Sequence, residues 1–195
     1  MRIALFGTGG MAAALGSRWR QHRLTVSGRD PERAAKLAGE LGAEVQPWAA
    51  AAREADAVLL AVPVSALEEL LPPLELTGTV LLDCTNTPGD PEPPGTPVAT
   101  RIAELAPGAS VVKAFNLAKV DVWRRTPPTF EGRPLGVPLC GAPAAVEVAA
   151  ELVRDVGATP LPAGGLDRAP LLEATAAFAI GLWLRGADAR TMLMS

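Results

Sequence analysis

A short, mostly apolar run, Arg2-Ile3-Ala4-Leu5-Phe6, breaks directly into Gly7-Thr8-Gly9-Gly10-Met11-Ala12, and helix-forming residues follow as far as Arg20. Five residues suffice for one buried strand, and three glycines in the next four positions stop it. The motif is G-x-G-x-x-A, set between a strand and a helix. In that setting Gly7 permits a tight turn, Gly9 lets a pyrophosphate approach the backbone, and Ala12 allows close helix–strand packing. Gly16, one turn beyond Ala12, lies on the same helical face and extends that contact. Free N–H groups at Gly10 and Met11 would then face phosphate oxygens. The competing reading is a tight turn that binds nothing.

The rest of the chain repeats the strand–helix alternation. Strands are expected at residues 24–27, 44–45, 57–62, 79–83, 110–115, 137–140 and 158–161. Helices are expected at 47–54, 66–71, 98–105, 144–155 and 171–184. Another is announced by Asp30-Pro31-Glu32 (cap, first-turn proline, first-turn acid) and stopped at Gly42. Residues 57–62, AVLLAV, are continuously apolar, as a central parallel strand covered on both faces requires. Residues 90–97, DPEPPGTP, read as a loop or small flap, and 116–136 as irregular. This order predicts an α/β fold: a doubly wound, mostly parallel Rossmann sheet with a C-terminal apolar helix. The 195 residues form a single nucleotide-binding domain in this reading, with 166–195 as a helical extension too small for a separate substrate domain.

The second strand selects the nucleotide. NAD sites place Asp or Glu about twenty residues past the glycines, on the ribose 2′-hydroxyl. Here stand Ser27, Gly28 and Arg29, with Arg33 one turn into the next helix. A hydroxyl and two guanidinium groups suit a 2′-phosphate, which a carboxylate would repel. Asp30 is assigned to helix capping because Pro31 follows it. NADP(H) is therefore the expected cofactor.

Composition removes much else. There is no Tyr, a single histidine (His22) lies on the edge away from the strands' carboxyl ends, and two cysteines, Cys84 and Cys140, read as small buried hydrophobes. No catalytic side chain and no metal site is expected. A net charge of −3 gives no reason to expect nucleic acid. The absence of a signal-peptide pattern and of an apolar run long enough to span a bilayer predicts no membrane association and a cytoplasmic, reducing setting. Asp83, Thr85, Asn86, Lys113 and Asn116 fall at the carboxyl ends of strands, where such sheets place ligands. Alternation sets Lys113 and Phe115 on one face and Val112 and Ala114 on the other. Lys113 either reaches substrate or forms an ion pair with Asp83.

Several segments together resemble one family, the NADP oxidoreductases dependent on the deazaflavin coenzyme F-420. They are GTGGMA at 7–12, SGRDPERA at 27–34, VLLAVPVSA at 58–66, LLDCTN at 81–86, VVKAFN at 111–116, VPLCG at 137–141 and GATPLPAGGLDRAPLLEA at 157–174. The resemblance implies NADP(H) phosphates on Thr8, Gly9, Gly10, Met11 and Ala12, and the 2′-phosphate on Ser27, Arg29 and Arg33. It also implies contacts from Val62 and Pro63 to the nicotinamide half, and from Ala114, Phe115 and Asn116 around the reacting ring. The family usually reads Gly-Ser-Arg after the second strand, so Ser27-Gly28-Arg29 moves the hydroxyl by one position.

The function expected is hydride transfer between NADP(H) and a deazaflavin (coenzyme F-420) or flavin-like acceptor. The alternatives are an NADPH-dependent ferric or flavin reductase and a non-catalytic NADPH-binding sensor or partner protein. The terminal helix, apolar nearly all round, is expected to form a homodimer interface or else to be a core helix under its own sheet.

Overall fold

The computed structural model describes residues 1–87 and 97–187, so the stretch read as a flap lies largely outside the described residues. Ten strands and eight α-helices are found among them. Strand β1 (Arg2–Phe6) leads into α1 (Gly10–Gly16), β2 (Arg23–Ser27) into α2 (Pro31–Leu41), and β3 (Glu44–Val45) into α3 (Trp48–Glu54). Then come β4 (Ala57–Leu60), α4 (Leu67–Leu70), β5 (Val80–Asp83), α5 (Val98–Leu105) and β6 (Ser110–Lys113). After α6 (Val120–Trp123), β7 (Thr129–Phe130) and β8 (Arg133–Pro134) follow β9 (Gly136–Gly141), α7 (Pro143–Asp155), β10 (Thr159–Pro162) and α8 (Ala169–Leu184).

Eight strands form one sheet in the order β10-β9-β6-β5-β4-β1-β2-β3. All neighbours are parallel except β6 and β9, which run antiparallel. The chain winds outward from β1 through β2 and β3, then returns to β4 on the other side of β1. That reversal opens a crevice at the carboxyl ends of β1 and β4. The doubly wound, mostly parallel sheet is thus as expected.

Alternating residues of each central strand feed two cores. Ile3, Leu5, Ala57, Leu59 and Val112 pack under α1, α2 and α7, whereas Ala4, Phe6, Val58, Leu60 and Val111 pack under α3, α4, α5 and the start of α8. The caps of α2 are as read. Asp30 accepts from the N–H groups of Glu32 (3.0 Å) and Arg33 (3.1 Å), and Gly42 closes the helix at φ 69°.

Several expectations are corrected. Helix α1 ends at Gly16, after which the N–H groups of Arg18, Trp19 and His22 bond three residues back, to Leu15, Gly16 and Trp19, and form turns instead of a further helical turn. The helix expected at 66–71 opens as a 3-10 turn, Val64–Ala66, whose first residue follows Pro63, and no side chain caps it. β4 and β6 stop two residues short, at Leu60 and Lys113. Residues 116–136 are not irregular throughout, since they hold α6 and the β7–β8 pair.

The two outer edges of the sheet are closed to further strands in different ways. β3 has only two residues. In β10, Thr159 and Ala163 donate inward to Leu135 and Leu139 carbonyls, so alternation turns Pro160 and Pro162 outward, where they offer no N–H. No helix of the described residues is long and apolar enough to cross a membrane.

Candidate functional site

The crevice between β1 and β4 is built by the glycine turn. Gly7 adopts φ +116°, and a Cβ there would lie against the Ala61 carbonyl, its carbon only 2.8 Å away. The Gly7 N–H donates to the Ser27 carbonyl at 2.9 Å, which ties the turn to the end of β2. Around Gly9 a Cβ would meet nothing within 4 Å, so its face is open to a ligand. Thr8 and Met11 are half-buried, and Ala12 is fully buried against the sheet. The Thr8 methyl carbon lies 2.7 Å from the Cβ position of Gly28, which brings the two loops into contact.

Beside that turn, Arg29 and Arg33 are exposed. Neither side chain has an ion-pair or hydrogen-bond partner among the described residues. Ser27 is placed differently from the arginines. It is buried, and its hydroxyl donates to the Gln46 carbonyl at 2.7 Å, fastening β2 to the chain that enters α3. Val62 is half-buried behind Gly7, its Cγ1 3.5 Å from the Cβ position, and Pro63 is exposed at the crevice wall.

Ala114, Phe115 and Asn116 lie three strands away, at the end of β6. All three are buried. The expected alternation fails at Phe115, which has φ 60° and so turns its ring to the face that carries Val112 and Ala114. There it stacks edge-on with Trp19 (5.9 Å) and Trp123 (5.3 Å). A left-handed Phe costs about 1–3 kcal/mol, and this aromatic packing offsets it. Phe115 can meet a ligand only through its backbone.

The polar residues beneath that end are engaged with one another. Lys113 is fully buried, with Nζ 2.9 Å from Asp83 Oδ2, 2.7 Å from the Thr85 carbonyl and 3.3 Å from Glu173 Oε1. Asp83 Oδ1 accepts from the Thr85 N–H and hydroxyl, at 2.8 and 2.7 Å. Of the two readings for Lys113, the ion pair is the one observed. Sequence reasoning missed Glu173, which reaches from α8 to accept the N–H groups of Val98 and Ala99 at 2.9 Å, capping α5. Asn116 donates to Asn86 Oδ1 (3.2 Å) and the Leu172 carbonyl (3.1 Å), and Asn86 donates to the Asn116 carbonyl at 2.7 Å.

Neither cysteine offers a nucleophile. Burial pushes the Cys84 thiol up to about 12, and its S–H donates to the Leu60 carbonyl at 3.2 Å. Burial raises Cys140 as well. His22 Nε2 is 2.8 Å from Asp155 at the opposite, amino end of the strands, where Glu151 completes a group of metal-type donors.

Sheet order, glycine turn and crevice together define a doubly wound domain of the Rossmann type. Within it, residues 2–87, from β1 to just past β5, match the family described as NADP oxidoreductase coenzyme F420-dependent. The likeness carried by the residues is borne out over that stretch. Among solved structures, a hypothetical protein from Sinorhizobium meliloti is 27% identical, with 86% of each chain covered and a TM-score of 0.74. A protein from Arthrobacter sp. FB24, described as a candidate F420-dependent NADP-reductase, is 22% identical, with 95% of each chain covered and a TM-score of 0.75. A reductive aminase from Aspergillus terreus, in complex with NADPH4, cyclohexanone and allyl amine, is 23% identical with a TM-score of 0.71. This chain covers 62% of the aminase's length and is itself covered to 95%. The two likenesses below 25% bear on the fold.

Proposed function

We propose that the protein binds NADP(H) across the β1–β4 crevice and passes a hydride between it and a deazaflavin or flavin-like acceptor. The observation that carries this reading is the pair of exposed guanidinium groups, Arg29 and Arg33, without a partner among the described residues, beside a glycine turn whose backbone is open to a ligand. The family match over residues 2–87 supports the same cofactor. The residues present fit it. The turn from Gly7 to Ala12 would receive the diphosphate, Arg29 and Arg33 the 2′-phosphate, and Val62, Pro63 and the backbone of Ala114 to Asn116 the nicotinamide half.

When bound, the nicotinamide supplies or accepts the hydride, and this demands ring alignment rather than a proton-transferring side chain. The chain's own residues then act by placement. Lys113 and Asp83 hold the ends of β5 and β6 rigid. Glu173 and Asn116 fix the first turns of α8 against them, so the floor of the acceptor cleft is preformed.

We also propose that α8 pairs with a second copy. Leu171, Phe178 and Leu184 are 56%, 59% and 70% exposed, whereas the prolines of β10 deny the sheet edge to a partner. Sedimentation at micromolar concentration tests this, and a monomer of the chain's own mass would contradict it. The two buried, free thiols accord with a reducing, cytoplasmic setting.

Stopped-flow NADPH oxidation against a panel of deazaflavin, flavin and ferric acceptors tests the reaction. Turnover with a deazaflavin or flavin is expected. Ferric reduction alone would favour the ferric reductase, and tight NADPH binding without turnover on any acceptor would favour the sensor.

A further inference from the structure

In the stretch without a periodic pattern, the fold lays an arginine beside the glycine turn. Helix α6 is only four residues long, so its position is set by packing rather than by its own helical stability. Trp123 anchors it in the core, its ring 5.3 Å from Phe115 and its indole N–H donating to the Ala118 carbonyl at 3.2 Å. At its start, Lys119 Nζ lies 4.0 Å from the ring centre of Trp183 on α8. Val120 and Arg124, one turn apart, share the face that meets α1. A Cβ on Gly10 would be 3.0 Å from Val120 Cγ1 and 3.7 Å from Arg124 Nη2. Arg124 Nη1 donates to Asp121 Oδ1 at 2.8 Å on an exposed surface, while Nη2 has no partner among the described residues.

We infer that Arg124 clamps the diphosphate of a bound dinucleotide from the α6 side of the Gly7–Gly10 turn. The inference rests on the nucleotide reading given above. A diphosphate brings two negative charges, yet residues 7–12 contain no cation, and Arg29 and Arg33 stand at the 2′-phosphate end. A guanidinium offers parallel N–H donors that match phosphate oxygens. Its pair with Asp121 is solvent-exposed and therefore weak, so Nη2 turns to a phosphate without breaking a strong interaction. Arg124 thus acts on the part of the ligand that NADPH and NADH have in common, whereas Arg29 and Arg33 act on the part that differs.

The test is a fluorescence titration of the wild type, Arg124→Ala and Arg124→Lys with NADPH and NADH. Competition by adenosine 2′-monophosphate, which carries the 2′-phosphate but no diphosphate, completes it. Arg124→Ala should weaken both dinucleotides by the same factor, on the order of tenfold, the scale of one charge-assisted hydrogen bond. Arg124→Lys should recover part of the loss, and the adenosine monophosphate should bind all three proteins equally. Unchanged NADPH binding by Arg124→Ala, or a loss confined to NADPH, overturns the clamp and leaves the nucleotide reading intact. A wild type that binds neither dinucleotide overturns both.

Discussion

The carboxyl edge of this sheet has two halves that treat their polar groups in opposite ways. At the ends of β5 and β6, Asp83, Lys113, Thr85, Asn116 and Glu173 bond to one another or to backbone, inside the protein. At the ends of β1 and β2, Gly9 faces open space, and the side chains of Arg29 and Arg33 have no partner among the described residues. The first half has completed its bonding and serves as a frame. The second has left donors and cations available, and it is availability rather than polarity that singles it out as the half proposed to bind.

This contrast can be broken by substitution. The largest effect should come from Lys113→Met, which leaves the buried Asp83 and the largely buried Glu173 without their cation. Urea unfolding should show a loss of about 4 kcal/mol, and a loss below about 1 kcal/mol would deny Lys113 a framing role. Gly7→Ala comes next, on the order of 3 kcal/mol, because φ +116° strains any side chain and the new Cβ meets the Ala61 carbonyl. Thermal unfolding would register it, and a neutral result would mean that the turn relaxes freely. Asp30→Ala removes the cap of α2 and should cost about 1 kcal/mol by the same assay. Smallest of all, the double variant Arg29→Ala/Arg33→Ala should leave stability within about 0.5 kcal/mol, since neither side chain bonds to any of the described residues.

The half proposed to bind was the more legible in the sequence. Gly7, Gly9 and Ala12 have local reasons to be what they are, and so do Asp30, Pro31 and Gly42, so reading a few neighbours located β1, α1, β2 and α2. The frame was harder because its reasons are long-range. The Lys113–Asp83 ion pair stands in the sequence as one of two readings, and only the pairing of β5 with β6, which sets the two residues side by side, decides between them. Glu173 lies 74 residues from the N–H of Ala99 that it caps, and no spacing announces that. Ser27 looked like a ligand for phosphate, but its hydroxyl is engaged by Gln46, a residue beyond the following helix. Helix α6 has too few residues for a period, and Phe115 departs from strand alternation because packing between two tryptophans fixes its left-handed backbone.

The most direct measurement is therefore nucleotide titration of that double arginine variant beside the wild type. The account predicts that the wild type prefers NADPH to NADH and that the variant loses the preference, with NADPH weakened by roughly 10- to 100-fold and NADH nearly unchanged. Equal losses for both nucleotides, or a wild type with no preference, would contradict it.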